Sequence, residues 1–147
     1  MIEEMLTVND IMTRWVATID ARKSLRDAAT IMWKAKAGCL IIMDGEKLAG
    51  IVTEGDISRA LANGANPDKI VVRKIMSKQL VTVSPDIRVE EAAKLMADKK
   101  IKKLPVLQAG GLVGIVTQTD IVASTFDLVT SLKEMVSARY RPPDFQP

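Results

Sequence analysis

The feature that most limits how this chain can fold is an internal repeat. Gly50-Ile-Val-Thr-Glu-Gly-Asp56 returns as Gly114-Ile-Val-Thr-Gln-Thr-Asp120, an offset of 64 residues from Gly50 to Gly114 and from Asp56 to Asp120. Residues 8–60 laid on 72–124 without a gap also match at Val8/Val72, Ile11/Ile75, Met12/Met76, Ala28/Ala92, Met32/Met96 and Leu40/Leu104. A match that runs through several kinds of local pattern implies two copies of one supersecondary unit. The 147 residues suit two small units sharing a core.

Each copy reads alike. Residues 8–13 form a short helical turn with Val8, Ile11 and Met12 on one face, and residues 15–19 are extended, echoed by 80–83. Ser24-Leu-Arg-Asp27 has the capping-box form that opens a helix, continued by Leu25, Ala28, Ala29 and Met32 at helical spacing. In the second copy Ser84-Pro85-Asp86 reads as the opening, with Ser84 as N-cap and Pro85 at the first helical position. Leu40-Ile-Ile-Met43 reads as a buried strand, Asp44-Gly45 as a tight turn and the run to Val52 as a second strand. Leu104-Pro-Val-Leu107, a turn around Gly110-Gly111 and a strand from Leu112 to Val116 repeat that order. Closing helices run from Asp56 to about Asn63 and from Asp120 towards Ser137. The units are residues 1–66 and 67–137, joined through 63–67, with a frayed tail over 138–147.

Composition narrows the function. There is no His, and no nucleophile elbow, Walker-type loop or Cys/His metal spacing appears, so an enzyme has nothing to build on. One cysteine, Cys39, excludes an intramolecular disulfide and suits a reducing compartment. No apolar run reaches the roughly 20 residues that cross a bilayer, and the start, Met-Ile-Glu-Glu-Met, is acidic where a secretory leader is basic. A cytoplasmic protein is expected. The net charge of +3 is concentrated in Lys99, Lys100, Lys102 and Lys103. Nucleic-acid binding through that cluster is the rival reading, but stacking aromatics are few. A solvated helix end accounts for the lysines as well.

The repeated Thr-x-x-Asp corner carries the chemistry. A strand entering a helix there sets a hydroxyl and a carboxylate beside a helix N-terminus, which suits a ribose and its phosphate. It is also an ordinary way to begin a helix. Duplication at the same place weighs towards a ligand role. Met12, Met32, Met76 and Met96 read as packing, Cys39 as a buried small hydrophobe, Trp15 and Trp33 as core or interface residues, and Arg22 as a surface charge.

With Val8-Asn-Asp-Ile-Met-Thr13, Val72-Arg-Lys-Ile-Met-Ser77, Ile101-Lys-Lys-Leu-Pro-Val106 and the two Gly-x-x-Thr-x-x-Asp segments, the chain resembles a tandem pair of CBS domains, the Bateman module, over about residues 7–126. That resemblance implies an α+β fold of two βαββα units packed through their sheets with pseudo-two-fold symmetry. It implies two clefts that take adenosine compounds (AMP, ADP, ATP or S-adenosylmethionine) as regulatory ligands, with no obligatory cofactor. One cleft would join Thr53, Gly55 and Asp56 to Leu80, Val81, Lys100, Ile101, Lys102 and Pro105. The other would join Thr117, Thr119 and Asp120 to Val16, Ala17, Ala37, Gly38 and Ile41. Gly55 lacks the hydroxyl of Thr119, and Lys102 answers to Gly38, so the clefts are expected to be unequal, the lysine-rich one favouring di- or triphosphates. The resemblance further implies a homodimer formed through the Val8–Met12 and helical faces, and a regulated enzyme or transporter in trans.

Overall fold

The computed structural model describes residues 6–78, 80–124 and Glu134. The expected tail over 138–147 and most of the closing helix beyond Ser124 lie outside the described residues. The first repeat runs α1 (Val8–Ile11), β1 (Thr18–Asp20), α2 (Leu25–Ala35), β2 (Cys39–Asp44), β3 (Lys47–Thr53) and α3 (Glu54–Ala62). The second runs from a 3-10 turn over Val72–Lys74 through α4 (Val89–Lys99), β4 (Lys103–Gln108) and β5 (Gly111–Thr117) to α5 (Gln118–Ala123).

In the first sheet β1 lies parallel to β2, and β2 pairs antiparallel with β3. In the second, β4 and β5 form the matching hairpin, and the counterpart of β1 is reduced to a parallel bridge between Val83 and Val106. Both hairpins turn through two residues, since Asp44 pairs with Lys47 and Gln108 with Gly111. The second turn holds Ala109 and Gly110 at positive φ (51° and 80°), the conformation that suits the twist of adjoining strands.

The core is divided, and its division is not that of the sequence. Ala28, Met32, Leu40, Ile42 and Val52 of the first repeat pack around Val72 of the second, with Ile75 and Met76 against them. Ala92, Met96, Leu104, Val106 and Val116 pack around Val8 and Met12 of the first. Each repeat's leading segment is thus buried in the other repeat. Backbone pairs hold the exchange: Thr13 N–H donates to Ile115 O (2.8 Å) and Ser77 N–H to Ile51 O (2.9 Å). Moving both partners of the first pair by one repeat gives the second, and the bridges Thr7–Arg88 and Val71–Ser24 obey the same rule. That reciprocity is an approximate two-fold axis.

The exchange corrects two expectations. Val8 is fully buried and Met12 nearly so, so this face is spent inside the chain and is not open to a second copy. Helix α4 starts at Val89 with Arg88 as N-cap, not at Ser84. Val8 N–H donates to Ile87 O (2.8 Å), Asn9 N–H to Pro85 O (2.9 Å) and Val89 N–H to Leu6 O (3.0 Å). Pairing with residues 6–9 therefore outweighs the local Ser-Pro-Asp start, which is left as a turn with Asp86 N–H on Ser84 Oγ (3.3 Å). Trp15 and Trp33 are exposed, not in the core.

Candidate nucleotide cleft

Strand β3 runs straight into α3 through Thr53, and β5 into α5 through Thr117. Both corners are complete capping boxes. Asp56 N–H donates to Thr53 Oγ1 (3.3 Å) while Asp56 Oδ2 accepts from Thr53 N–H (2.9 Å). Asp120 N–H donates to Thr117 Oγ1 (3.1 Å) and Asp120 Oδ2 accepts from Thr117 N–H (3.0 Å). The helix-start reading is realised, and it occupies Oδ2 of each carboxylate. A ribose pair of hydroxyls would have to use Oδ1 together with the spare capacity of Oδ2.

The two corners differ at Oδ1. Arg59 Nη2 lies 3.0 Å from Asp56 Oδ1, one turn along α3. In the second repeat that position is Ala123, and Asp120 instead accepts from the Thr13 hydroxyl at 3.4 Å to each oxygen. The counterpart of Thr13 is Ser77, which lines the first cleft.

A cavity of about 610 Å³ opens at the first corner, and all nine residues expected there line it: Thr53, Gly55, Asp56, Leu80, Val81, Lys100, Ile101, Lys102 and Pro105. Both repeats supply walls, so the cleft exists only in the assembled pair. Asp56 therefore faces a groove made by both halves. Four further lining residues were missed in the sequence: Ile51, Glu54, Ser77 and Lys103. Lys103 was recoverable, because side chains two apart on a strand share a face and Pro105 was already assigned.

Basic and acidic groups meet in this cleft. Lys100, Lys102 and Lys103 face Glu54 and Asp56, the latter already paired with Arg59. Lys100 is the left-handed cap of α4 (φ 54°), as Lys36 is of α2 (φ 52°), which turns the chain sharply into the following strand. Lys103 reaches across to the first repeat: its Nζ stands 3.0 Å from where a Cβ on Gly38 would be. Burial pushes the Cys39 thiol above its ordinary pKa, and the nearby Lys103 ammonium partly offsets this.

The second set is placed differently. Gly38, assigned to it from the sequence, lines the first cleft. Its carbonyl accepts from Glu54 N–H (3.2 Å), as that of Lys102 does from Gln118 N–H (2.8 Å), so each repeat's second strand begins by capping its own closing helix. Thr117 and Asp120 are half-buried and Thr119 is exposed. Val16 and Ala37 are half-buried, whereas Ala17 and Ile41 are buried and joined by Ile41 N–H on Ala17 O (3.0 Å). Among the described residues no group of His, Cys, Asp and Glu could hold a metal ion, and no helix is long and apolar enough to cross a membrane.

Duplicated βαββα units with exchanged leading segments, Thr-x-x-Asp corners and a cleft shared by both repeats define a tandem-repeat module. The chain belongs to the CBS-domain family: the CBS domain description matches residues 8–63 and 72–126. It is 31% identical to the CBS domain-containing protein YhcV of Bacillus subtilis, over 82% of this chain and 86% of that one. It is 35% identical to an uncharacterized protein of Methanopyrus kandleri, over 88% and 67%. An inosine-5'-monophosphate dehydrogenase of Korarchaeum cryptofilum is 39% identical, but the match spans only 22% of that enzyme. Among solved structures, the hexameric CBS-CP12 protein from bloom-forming cyanobacteria has a TM-score of 0.76 at 34% identity, covering 92% of this chain and 84% of that one. The CBS domain pair of protein MJ0100, in complex with 5'-methylthioadenosine and S-adenosyl-L-methionine, has a TM-score of 0.72 at 28% identity, covering 92% and 98%.

Proposed function

We propose that the Lys-rich cleft binds an adenosine nucleotide with two or three phosphates, and that its occupancy regulates a partner protein. The observation that carries this is the convergence of Asp56 and three lysines on one cavity built from both repeats. Asp56 takes the ribose hydroxyls, with Arg59 moving off Oδ1 towards solvent, where most of its side chain already lies. Val81 and Ile101 offer apolar walls for adenine. Lys100, Lys102 and Lys103 neutralise the phosphates, assisted by the positive end of α3. A ligand touching both repeats favours the arrangement in which both touch it, which is how occupancy becomes a signal. The MJ0100 pair, crystallised with two adenosine compounds, supports the ligand class.

The second corner is read as a weaker site for a less charged adenosine compound, since Lys36, Gly38 and Cys39 replace the three lysines. The role is regulatory and not catalytic, in the cytoplasm, with a homodimer as the working form and an enzyme or transporter as the regulated partner. Nucleic acid is disfavoured, because three of the four clustered lysines face into the cleft instead of forming an open stripe.

Calorimetry with AMP, ADP, ATP, S-adenosylmethionine and NAD tests the reading. ADP and ATP should bind more tightly than AMP. Asp56→Ala should weaken them by roughly tenfold or more, the scale of a lost charge-assisted hydrogen bond. Two identical sites for ATP, or no heat with any adenosine compound, would overturn it.

A further inference from the structure

The Lys-rich cleft adjoins a second hollow. Glu54 lines both, and the hollow, of about 860 Å³, is walled by α2 and α3 with Met32, Trp33, Lys36, Ile57 and Ser58. Two strips of chain lead from one to the other. On α3, Asp56 lines the cleft, while Ile57 and Ser58 line the hollow, one and two residues further at a rise of about 1.5 Å each. On the turn out of α2, Gly38 lines the cleft and Lys36 the hollow, separated by no more than about 7 Å of chain.

The repeat shows which side chains are peculiar to this route. At the offset of 64 residues, Gly38 answers to Lys102, Gly55 to Thr119 and Trp33 to Ala97. Two side chains are thus missing at the junction, and an indole is added at the far end, all in one repeat. Beyond its chain neighbours, the nearest side-chain atom to a Cβ on Gly55 would be Thr53 Oγ1, 3.7 Å away, so the space over the start of α3 is open. Trp33 itself is 82% exposed, an aromatic face presented without a partner ring. Four of the eight residues around the hollow are polar or charged (Lys34, Lys36, Glu54 and Ser58). A hydrocarbon chain there would strip water from them, whereas a sugar carrying a planar ring can give its hydroxyls to them and its ring to Trp33.

We propose that the ligand is an adenosine diphosphate whose terminal phosphate carries a second sugar and a planar ring, and that this second half crosses the start of α3 and stacks on Trp33. The inference rests on the nucleotide reading of the cleft and adds the hollow to it. With the first sugar at Asp56 and the diphosphate among the lysines and the first turn of α3, the terminal phosphate lies at the mouth of the hollow, beside Glu54. Lys36 then meets the second sugar, and the indole takes the ring.

Titration of the full chain with ADP, ADP-ribose and NADH tests this. NADH should bind about tenfold more tightly than ADP-ribose, which lacks the ring, the scale of one stack on an aromatic side chain. Trp33→Ala should bring NADH down to the level of ADP-ribose, and Trp33→Phe should restore most of the difference. ADP should bind the Trp33→Ala chain as it binds the unaltered one, which also shows that the variant is folded. In a Trp15→Phe background Trp33 is the sole indole, and its emission should be quenched by NADH and not by ADP. Equal affinities for NADH and ADP-ribose, or a Trp33→Ala chain that binds NADH undiminished, would overturn the extension while leaving the nucleotide reading in place. Failure of ADP itself to bind would overturn both.

Discussion

Gly114 sits where a side chain would collide with the chain's own beginning. A Cβ there would stand 2.9 Å from Thr13 O and 2.8 Å from Met12 Sδ, and one on Gly50 would stand 2.8 Å from Ser77 O and 2.5 Å from Met76 Sδ. The thioether can swing aside, but the carbonyl is fixed by its bond to the strand. Gly114→Ala should therefore cost about 1–3 kcal/mol, the usual penalty of overpacking. A denaturant melt should show it as a lower midpoint with unchanged slope, and an unchanged midpoint would mean that the leading segment is not held against β5. The repeated glycine was plain in the sequence; its reason was not, because the carbonyl it meets is about a hundred residues away in the chain.

Whole elements were legible wherever a local signal and tertiary pairing agreed. The capping box at Ser24, the hairpins and the closing helices at Thr53 and Thr117 form as expected. The α4 boundary was misplaced because Ser84-Pro85-Asp86 is a good local start that loses to pairing with residues 6–9. The repeat held the answer, since Ser24 shifted by 64 lands on Arg88, the observed cap. Trp33 reads from the sequence as a core or interface residue; α2 turns it outward beside Leu61. The lining of the first cleft was readable because its residues occupy fixed positions in the family pattern; that pattern set Gly38 in the other cleft, and the structure brings it to the first. At this scale the leading segment gives a direct test. Val8→Ala should destabilise the protein by roughly 2 kcal/mol. Loss of hydrogen-exchange protection should be greatest in β4 and β5, the strands it packs on, and not in β2 and β3.

Taken as a whole, the molecule is two interlocked halves, and the interlocking has a history as well as a geometry. The first half emerges from the ribosome with its core short only of residues 72–76, which follow almost at once. Val8 and Met12 are less fortunate: β5, whose Val116 shelters them, is made last of the described strands. Until then the oldest part of the nascent polypeptide carries a naked apolar stripe. Translation-arrested chains ending near residue 108 should accordingly be cleaved by protease within residues 6–13 while α2 and β2 resist, and arrest late enough for β5 to clear the exit tunnel should abolish that cleavage. Equal resistance at both lengths would mean that the first residues find shelter elsewhere during synthesis.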